Sequence, residues 1–263
     1  MNKKLTIATI KDILFGNQPV EPTLLATWRQ DERRGVQQLL QRYDKFLQKL
    51  ATKQAAFQQR LTIERSLWDK YPLIAGIDEV GRGPLAGPVV TAAVILPHDF
   101  NLIDVNDSKQ LSETKREELY PQIMQQALAV GIGQADPAMI DRENIYHATE
   151  LAMQQAVQNL AIQPDYLLVD AMTIPGGYQQ EKLIKGDARS ASIGAASIVA
   201  KVTRDHLMYA YAKQYPGYDF EHNVGYGTTK HLAGLAKHGV TPIHRRSFAP
   251  VKKYIKHINC QSH

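Results

Sequence analysis

The chain has 263 residues, of which 44% are hydrophobic and 22% charged, with a formal net charge of +5. That balance fits a globular protein of one large domain, or a medium one with an appendage, and no run of about 18 apolar residues marks a membrane span. The single cysteine, Cys260, excludes an internal disulfide and suits a reducing cytoplasm.

The N-terminal stretch MNKKLTIATIKDILFG is interrupted by Lys11 and Asp12 and has no small-residue cleavage site after it. It reads as a short helix over Thr9–Phe15 and not as a signal peptide. Pro22-Thr23 suits a helix start. From Asp31 to Tyr71 apolar residues fall at Val36, Leu40, Tyr43, Leu47, Leu50, Phe57 and Leu61, with Gln54 breaking the seam. A spacing near 3.5 residues predicts a helical hairpin or one long amphipathic helix. Residues 1–70 carry 13 Lys/Arg against 7 Asp/Glu, whereas 71–263 carry 18 against 19. The basic extension is either a grip on a polyanion such as nucleic acid or a packing appendage. The composition changes at Tyr71-Pro72, which divides the chain into a helical extension, 1–70, and a domain, 71–263.

Leu73–Val80 and Pro88–Leu96 read as strands. Ser112 is placed to cap the helix SETKREELYPQIMQQAL. Val130–Ala135 is a short strand, and a helix is expected from Asp141 to about Leu160. Tyr166–Val169, apolar throughout, reads as a strand buried on both faces and ends at Asp170. Pro175-Gly176-Gly177 is a turn, and Leu183-Ile184 a further short strand closed by Gly186-Asp187. Ser190 opens a long helix whose first half is crowded with small residues (Ala191, Gly194, Ala195, Ala196), so it must pack closely. Thr228–Lys237 is the last helix. No acid follows Glu221, after which come seven Lys/Arg: Lys230, Lys237, Arg245, Arg246, Lys252, Lys253 and Lys256. Strands first, then alternating helices and strands, predict an α/β domain with a mixed sheet flanked by helices.

Carboxylates recur at strand ends: Asp78 and Glu79, then Asp170, with Asp187 just before a helix. A lone aspartate in such a place is most simply a cap or a loop ion pair. Four brought together are costly to bury unless neutralised. Oxygen ligands without a Cys or His set suit a hard cation, Mg²⁺ or Mn²⁺. Two such ions activate water on one side of a phosphodiester and stabilise the leaving oxygen on the other. The turn Gly81-Arg82-Gly83-Pro84 is not a dinucleotide fingerprint, because the third glycine, Gly87, is one place late and a strand follows. It is either a tight hairpin turn, a close backbone approach to a ligand, or both.

Five blocks carry a resemblance: GIDEVGRGPLAGPVV (Gly76–Val90), DSKQLSETKREEL (Asp107–Leu119), LLVDA (Leu167–Ala171), KGDARSASIGAASIVAKVTRD (Lys185–Asp205) and GYGTTKH (Gly225–His231). In order and wording they closely resemble bacterial ribonuclease HII, over Tyr71 to about Phe248. Arg82 between the two glycines sets the chain apart from the related type III enzymes. The resemblance implies a ribonuclease H-like fold and an endonuclease cleaving RNA in RNA–DNA hybrids and incising 5′ of single ribonucleotides in duplex DNA. It implies Asp78, Glu79, Asp170 and Asp187 as active-site carboxylates, the first three as ligands of Mn²⁺ or Mg²⁺. It further implies that Gly81, Arg82 and Gly83 meet the ribonucleotide 2′-OH, and that Tyr226 packs on the following deoxyribose. Ser108 and Lys109 fall in a block tied to backbone contacts, and Lys201 and Arg204 lie in a matching helix. Residues 1–70 resemble the helical extension of some Gram-positive members. A cytoplasmic monomer is expected. Two rivals share parts of this pattern: another carboxylate nuclease of the same fold acting on DNA alone, and a catalytically silent nucleic-acid-binding module.

Overall fold

The computed structural model describes residues 5–16 and 18–255, so that Lys256 and Cys260 lie outside the described residues. Among the described residues no helix is long and apolar enough to cross a membrane. The chain divides into two compact units, Met1–Ala56 and Phe57–His263.

In the first unit, α1 (Ile7–Leu14) is capped by Thr6, whose hydroxyl accepts from the Thr9 amide at 3.1 Å. Helix α2 (Pro22–Arg29) begins with proline in its first turn, where no intrahelical N–H is needed. Helix α3 (Arg34–Arg60) is one long amphipathic helix, not a hairpin. Its Val36, Leu39, Leu40 and Tyr43 bury against Ile10, Leu14 and Trp28. Leu47 and Leu50, read as the same seam, are exposed.

The division falls earlier than the compositional change at Tyr71-Pro72 because Phe57 and Leu61 already pack with Phe100, Val105 and Leu119 in the core of the second unit. Helix α4 (Thr62–Leu67) follows. The sheet comprises β1 (Ile74–Val80), β2 (Val89–Ile95), β3 (Ala129–Ala135), β4 (Tyr166–Asp170) and β5 (Gln180–Leu183) in the order β3-β2-β1-β4-β5. The β1–β2 and β2–β3 pairs are antiparallel, whereas β4 runs parallel to both β1 and β5, so the sheet is mixed.

The expected helix from Asp141 to Leu160 is two helices. Asp136 caps α5 (Pro137–Glu143), and Asn144, at φ +66°, breaks the run and caps α6 (Ile145–Gln158) through the Tyr146 and His147 amides. Asn tolerates the left-handed region because its short side chain bonds locally. The earlier helix, opened by Ser112, spans Glu113–Gln126. The strand expected at Leu183-Ile184 ends at Leu183, and Ile184 points to solvent. Beyond it lie α7 (Gly186–Arg189) and α8 (Ala191–Gln214).

Alternation along the central strands sorts the two faces. Ala92 and Val94 pack on Ala195, Ala196 and Val199 of α8, whereas Ala93 and Ile95 pack with Met153 and Val157 of α6. Gly76 lets α8 come close, since a Cβ there would overlap the Ser192 backbone. A separate cluster holds the C-terminal part: Leu85, Ala86, Met208, Tyr218, Phe220, Leu235, Ile243 and Val251. Its helices are α9 (Phe220–Asn223), α10 (Thr229–His238, capped by Thr228) and α11 (Ala249–Ile255), of which only α10 is legible in the sequence pattern.

Candidate active site

The parallel pairing of β1 with β4 runs from Ile74↔Tyr166 to Ile77↔Val169, and the next step sets Asp78 beside Asp170. In-register parallel neighbours point to the same face, so the two carboxylates meet at the strand ends. Asp78 is 2% exposed. Its Oδ1 accepts from the Glu79 amide at 2.7 Å, and the nearby Ser197 side chain favours its charged form. Asp170 Oδ1 accepts from the Gly186 amide at 2.6 Å, which ties it to the turn bearing Asp187. Asp187 is buried, and its Oδ2 lies 3.4 Å from Lys109 Nζ. The four sequence-predicted carboxylates therefore share one region of the sheet end.

Their electrostatics are strained. Burial pushes the Asp78 carboxyl well above its usual range, and the charges of Glu79 and Asp170 add to this against the Ser197 hydrogen bond. Burial likewise raises Glu79 to about 7, although Arg82, whose Nη1 is 3.5 Å from Glu79 Oε1, opposes the shift. Asp170 is raised by burial, opposed by the Gly186 amide and reinforced by Asp187. Burial alone would lower Lys109, yet the carboxylates of Asp187, Asp78 and Asp107 hold it above its ordinary value. Glu79 Oε2 is buried without any hydrogen-bond partner. An orphaned carboxylate oxygen among like charges is what a bound divalent cation would neutralise, so the donor set fits Mg²⁺ or Mn²⁺.

A second, exposed group, Asp219, Glu221 and His222, places one ligand atom of each within 4.8 Å of the others and could also hold a divalent ion. There Asp219 already accepts hydrogen bonds from His222 Nδ1 at 2.8 Å and Lys230 Nζ at 3.3 Å.

The glycine-rich turn is built by distant arginines. Gly81 sits at φ +90°, a conformation that favours glycine. Arg245, fully buried, donates to the carbonyls of Gly81, Arg82 and Gly87, with Arg82 O at 2.8 Å. Arg204, also fully buried, donates to Pro88 O and Val224 O at 2.9 Å and to Ala86 O at 3.2 Å. Both fill carbonyl acceptors that the loop's irregular path leaves open. Leu85 N donates to Gly225 O at 2.8 Å, which joins this turn to the Gly225-Tyr226-Gly227 segment. A Cβ on Gly83 would meet only the Tyr226 ring, at 3.5 Å. Gly83, Arg82 and the half-exposed Tyr226 thus form one surface beside the carboxylates.

Beneath Tyr226 lies a buried histidine pair. Thr241 N donates to His244 Nδ1 at 2.9 Å, and the two Nε2 atoms of His244 and His231 are 3.0 Å apart. His231 Nδ1 lies 2.9 Å from Tyr226 O. A carbonyl only accepts, so His231 carries its proton on Nδ1, and the Nε2–H belongs to His244. Burial lowers both imidazoles, His244 to about 4, which keeps this neutral arrangement in place.

Ser108 and Lys109 part company. The Ser108 side chain is buried with its hydroxyl 2.9 Å from Ser197 Oγ, so it supports the serine near Asp78 and does not face solvent. Lys109 is the exposed member. Lys201 is engaged with Asp205 at 2.7 Å. Sequence reasoning missed Ser197, Arg245 and the role of Arg204. Ser197 shows only as a polar residue in a small, apolar stretch, and the two arginines, set among other polar residues, carry no local signal of burial.

Two family models match the chain: "Ribonuclease HII" over residues 75–251 and "Ribonuclease HII N-terminal domain" over residues 6–68. The chain is 65% identical over 252 residues to ribonuclease HII of Latilactobacillus sakei, covering 96% of this chain and 99% of that one. It is 55% identical to ribonuclease HII of Enterococcus faecalis, covering 96% and 99%. Among solved structures, it is similar to ribonuclease H2 from Pyrococcus horikoshii, with 25% identity and a TM-score of 0.63 over 71% of this chain and 99% of that one.

Proposed function

The chain belongs to the ribonuclease HII family, and from that premise we propose an endoribonuclease that cleaves RNA in RNA–DNA hybrids and incises 5′ of single ribonucleotides in duplex DNA. The observation that carries this reading is the buried carboxylate set, with an orphaned Glu79 oxygen, immediately beside the Arg82 turn. Asp78, Glu79 and Asp170 would hold Mn²⁺ or Mg²⁺. When bound, such an ion supplies activation of water for in-line attack and stabilises the leaving oxygen, giving 3′-hydroxyl and 5′-phosphate ends.

The chain's own residues do the rest. Asp187, held by Lys109, completes the negative wall. Gly83 lets the backbone approach a ribose, and Arg82 stands over that approach. The 2′-OH is the group that separates RNA from DNA, so a close-fitting turn is the place to detect it. Tyr226 offers its ring to the neighbouring deoxyribose. Lys109 supplies a cation for the phosphate backbone once substrate draws it from Asp187. Residues 1–56 form a basic extension that grips duplex, and the protein acts as a monomer in the cytoplasm.

The test is a labelled duplex with one ribonucleotide beside an all-DNA duplex, with and without Mn²⁺. Wild type cleaves only the first, and only with metal, while Asp78→Asn and Asp170→Asn retain the fold and cleave neither. Cleavage of the all-DNA duplex would favour a general carboxylate nuclease. Binding without cleavage would favour a silent module.

A further inference from the structure

Glu64 of α4 lies 2% exposed, with no ion-pair partner among the described residues. Its Oε1 accepts three hydrogen bonds from the start of α8: Ser190 Oγ at 2.6 Å, Ser192 Oγ at 2.8 Å and Ser192 N at 2.9 Å. Its Oε2 is buried and unpartnered. Helix α8 does not require this carboxylate as its cap, because Ser190 Oγ already accepts from Ile193 N at 3.2 Å. A buried carboxylate that the helix end can do without is costly, which points to a further use.

That use follows from what the three donors are attached to. Ser190 N donates to Gly186 O at 2.8 Å, closing the α7 turn that contains Asp187. The amide of the same Gly186 holds Asp170 Oδ1 at 2.6 Å. Ser192 packs on Gly76, in the strand that ends in Asp78 and Glu79. Glu64 therefore sits at the joint where β1, α7 and α8 meet.

We propose that Glu64 is a positioning residue for the metal site. It fixes the α7–α8 joint, so that Asp187 and the Gly186 amide stand at the right distance from Asp170. The segment after α3 is thereby part of the catalytic unit and not of the basic grip. The proposal rests on the carboxylate-site reading above.

The experiment uses the full chain with Glu64→Ala and Glu64→Gln, the latter keeping an acceptor oxygen at the same reach. Mn²⁺ affinity is measured by calorimetry, amide exchange at Gly186 in metal-free protein, and kcat and KM on the single-ribonucleotide duplex. Loss of the hydrogen-bonded groups that hold metal ligands in place costs roughly tenfold or more in metal affinity or activity. Glu64→Ala is expected to weaken Mn²⁺ binding and lower kcat by about tenfold, with KM nearly unchanged and faster exchange at Gly186. Glu64→Gln restores both to within about threefold of wild type. Should the alanine variant not fold, Glu64→Asp, one methylene short, takes its place with the same expectation. Wild-type Mn²⁺ affinity and wild-type Gly186 exchange in a merely less stable Glu64→Ala would overturn the proposal. A wild type that binds Mn²⁺ but cleaves no ribonucleotide would overturn the function and leave the positioning role standing on the binding and exchange data.

Discussion

Replacing Glu79 by glutamine should stabilise the metal-free protein while destroying its function. The glutamate is raised from an ordinary 4.5 to about 7 in the fold. Its charged form is therefore penalised by about 3 kcal/mol in the native state relative to the unfolded chain. The sign follows from proton uptake. Between pH 4.5 and 7 the native state binds more protons than the unfolded state, so stability falls as pH rises through that window. Above it the penalty is fully present, and below pH 4.5 it is absent. Glutamine never carries the charge, and the opposing pull of Arg82 is already contained in the net shift. The expected gain at pH 8 is about 2–3 kcal/mol, or roughly 4–10 °C in Tm for a unit of this size. At pH 5 the gain shrinks to below about 1 kcal/mol. Thermal melts in chelator at both pH values measure this directly. Added Mn²⁺ should then narrow the gap, because wild type gains about 2.7 kcal/mol at a hundredfold excess over Kd and the variant gains less. A variant no more stable than wild type at pH 8 without metal, or a gain that does not shrink at pH 5, would refute the electrostatic account.

Gly83→Ala should melt like wild type, since its Cβ meets only the Tyr226 ring at 3.5 Å, yet lose roughly a hundredfold in kcat/KM if a ribose must approach there. Gly81→Ala, at φ +90° and against Arg204, should instead lose about 1–3 kcal/mol of stability. Equal melting losses in the two would restore the hairpin-turn reading for both glycines. Tyr226→Ala should slow incision at a single ribonucleotide more than Tyr226→Phe does, and equal rates for wild type and Tyr226→Ala would remove the junction role. A chain starting at Phe57 keeps the second unit intact, whereas a cut at residue 70 removes Phe57, Leu61 and Glu64 from it. If Arg42, Lys45 and Lys49 of α3 meet phosphates, the Phe57 start lowers the salt slope of duplex binding by roughly 0.9 per lost contact. An unchanged slope rejects the grip.

Local wording was enough to find the carboxylates, because strand ends followed by turns are written in consecutive residues: Leu73–Glu79, then Leu167–Asp170. The same holds for the glycine turn, the cap at Ser112 and the helix starts at Ser190 and Thr228. Helix breaks resist such reading, as at Asn144, a positive-φ residue hidden at the end of the polar run Asp141–Asn144. Buried support resists it altogether. Arg245 reaches Arg82 across 163 residues of chain, and Glu64 reaches Ser192 across 128. Nothing local to any of the four marks the partnership. Composition alone put the division near Tyr71, and the two family models also part there, between residues 68 and 75, whereas packing already joins Phe57 and Leu61 to the sheet's core. The sequence by itself determined the family, the strand ends and the charged residues at them. Only the tertiary structure decided which carboxylate oxygen is left without a partner, that Ser108 faces inward, and which distant arginines shape the turn. Hydrogen bonds and desolvation depend on neighbours in space, and those are set by the sheet order and the helices packed on it.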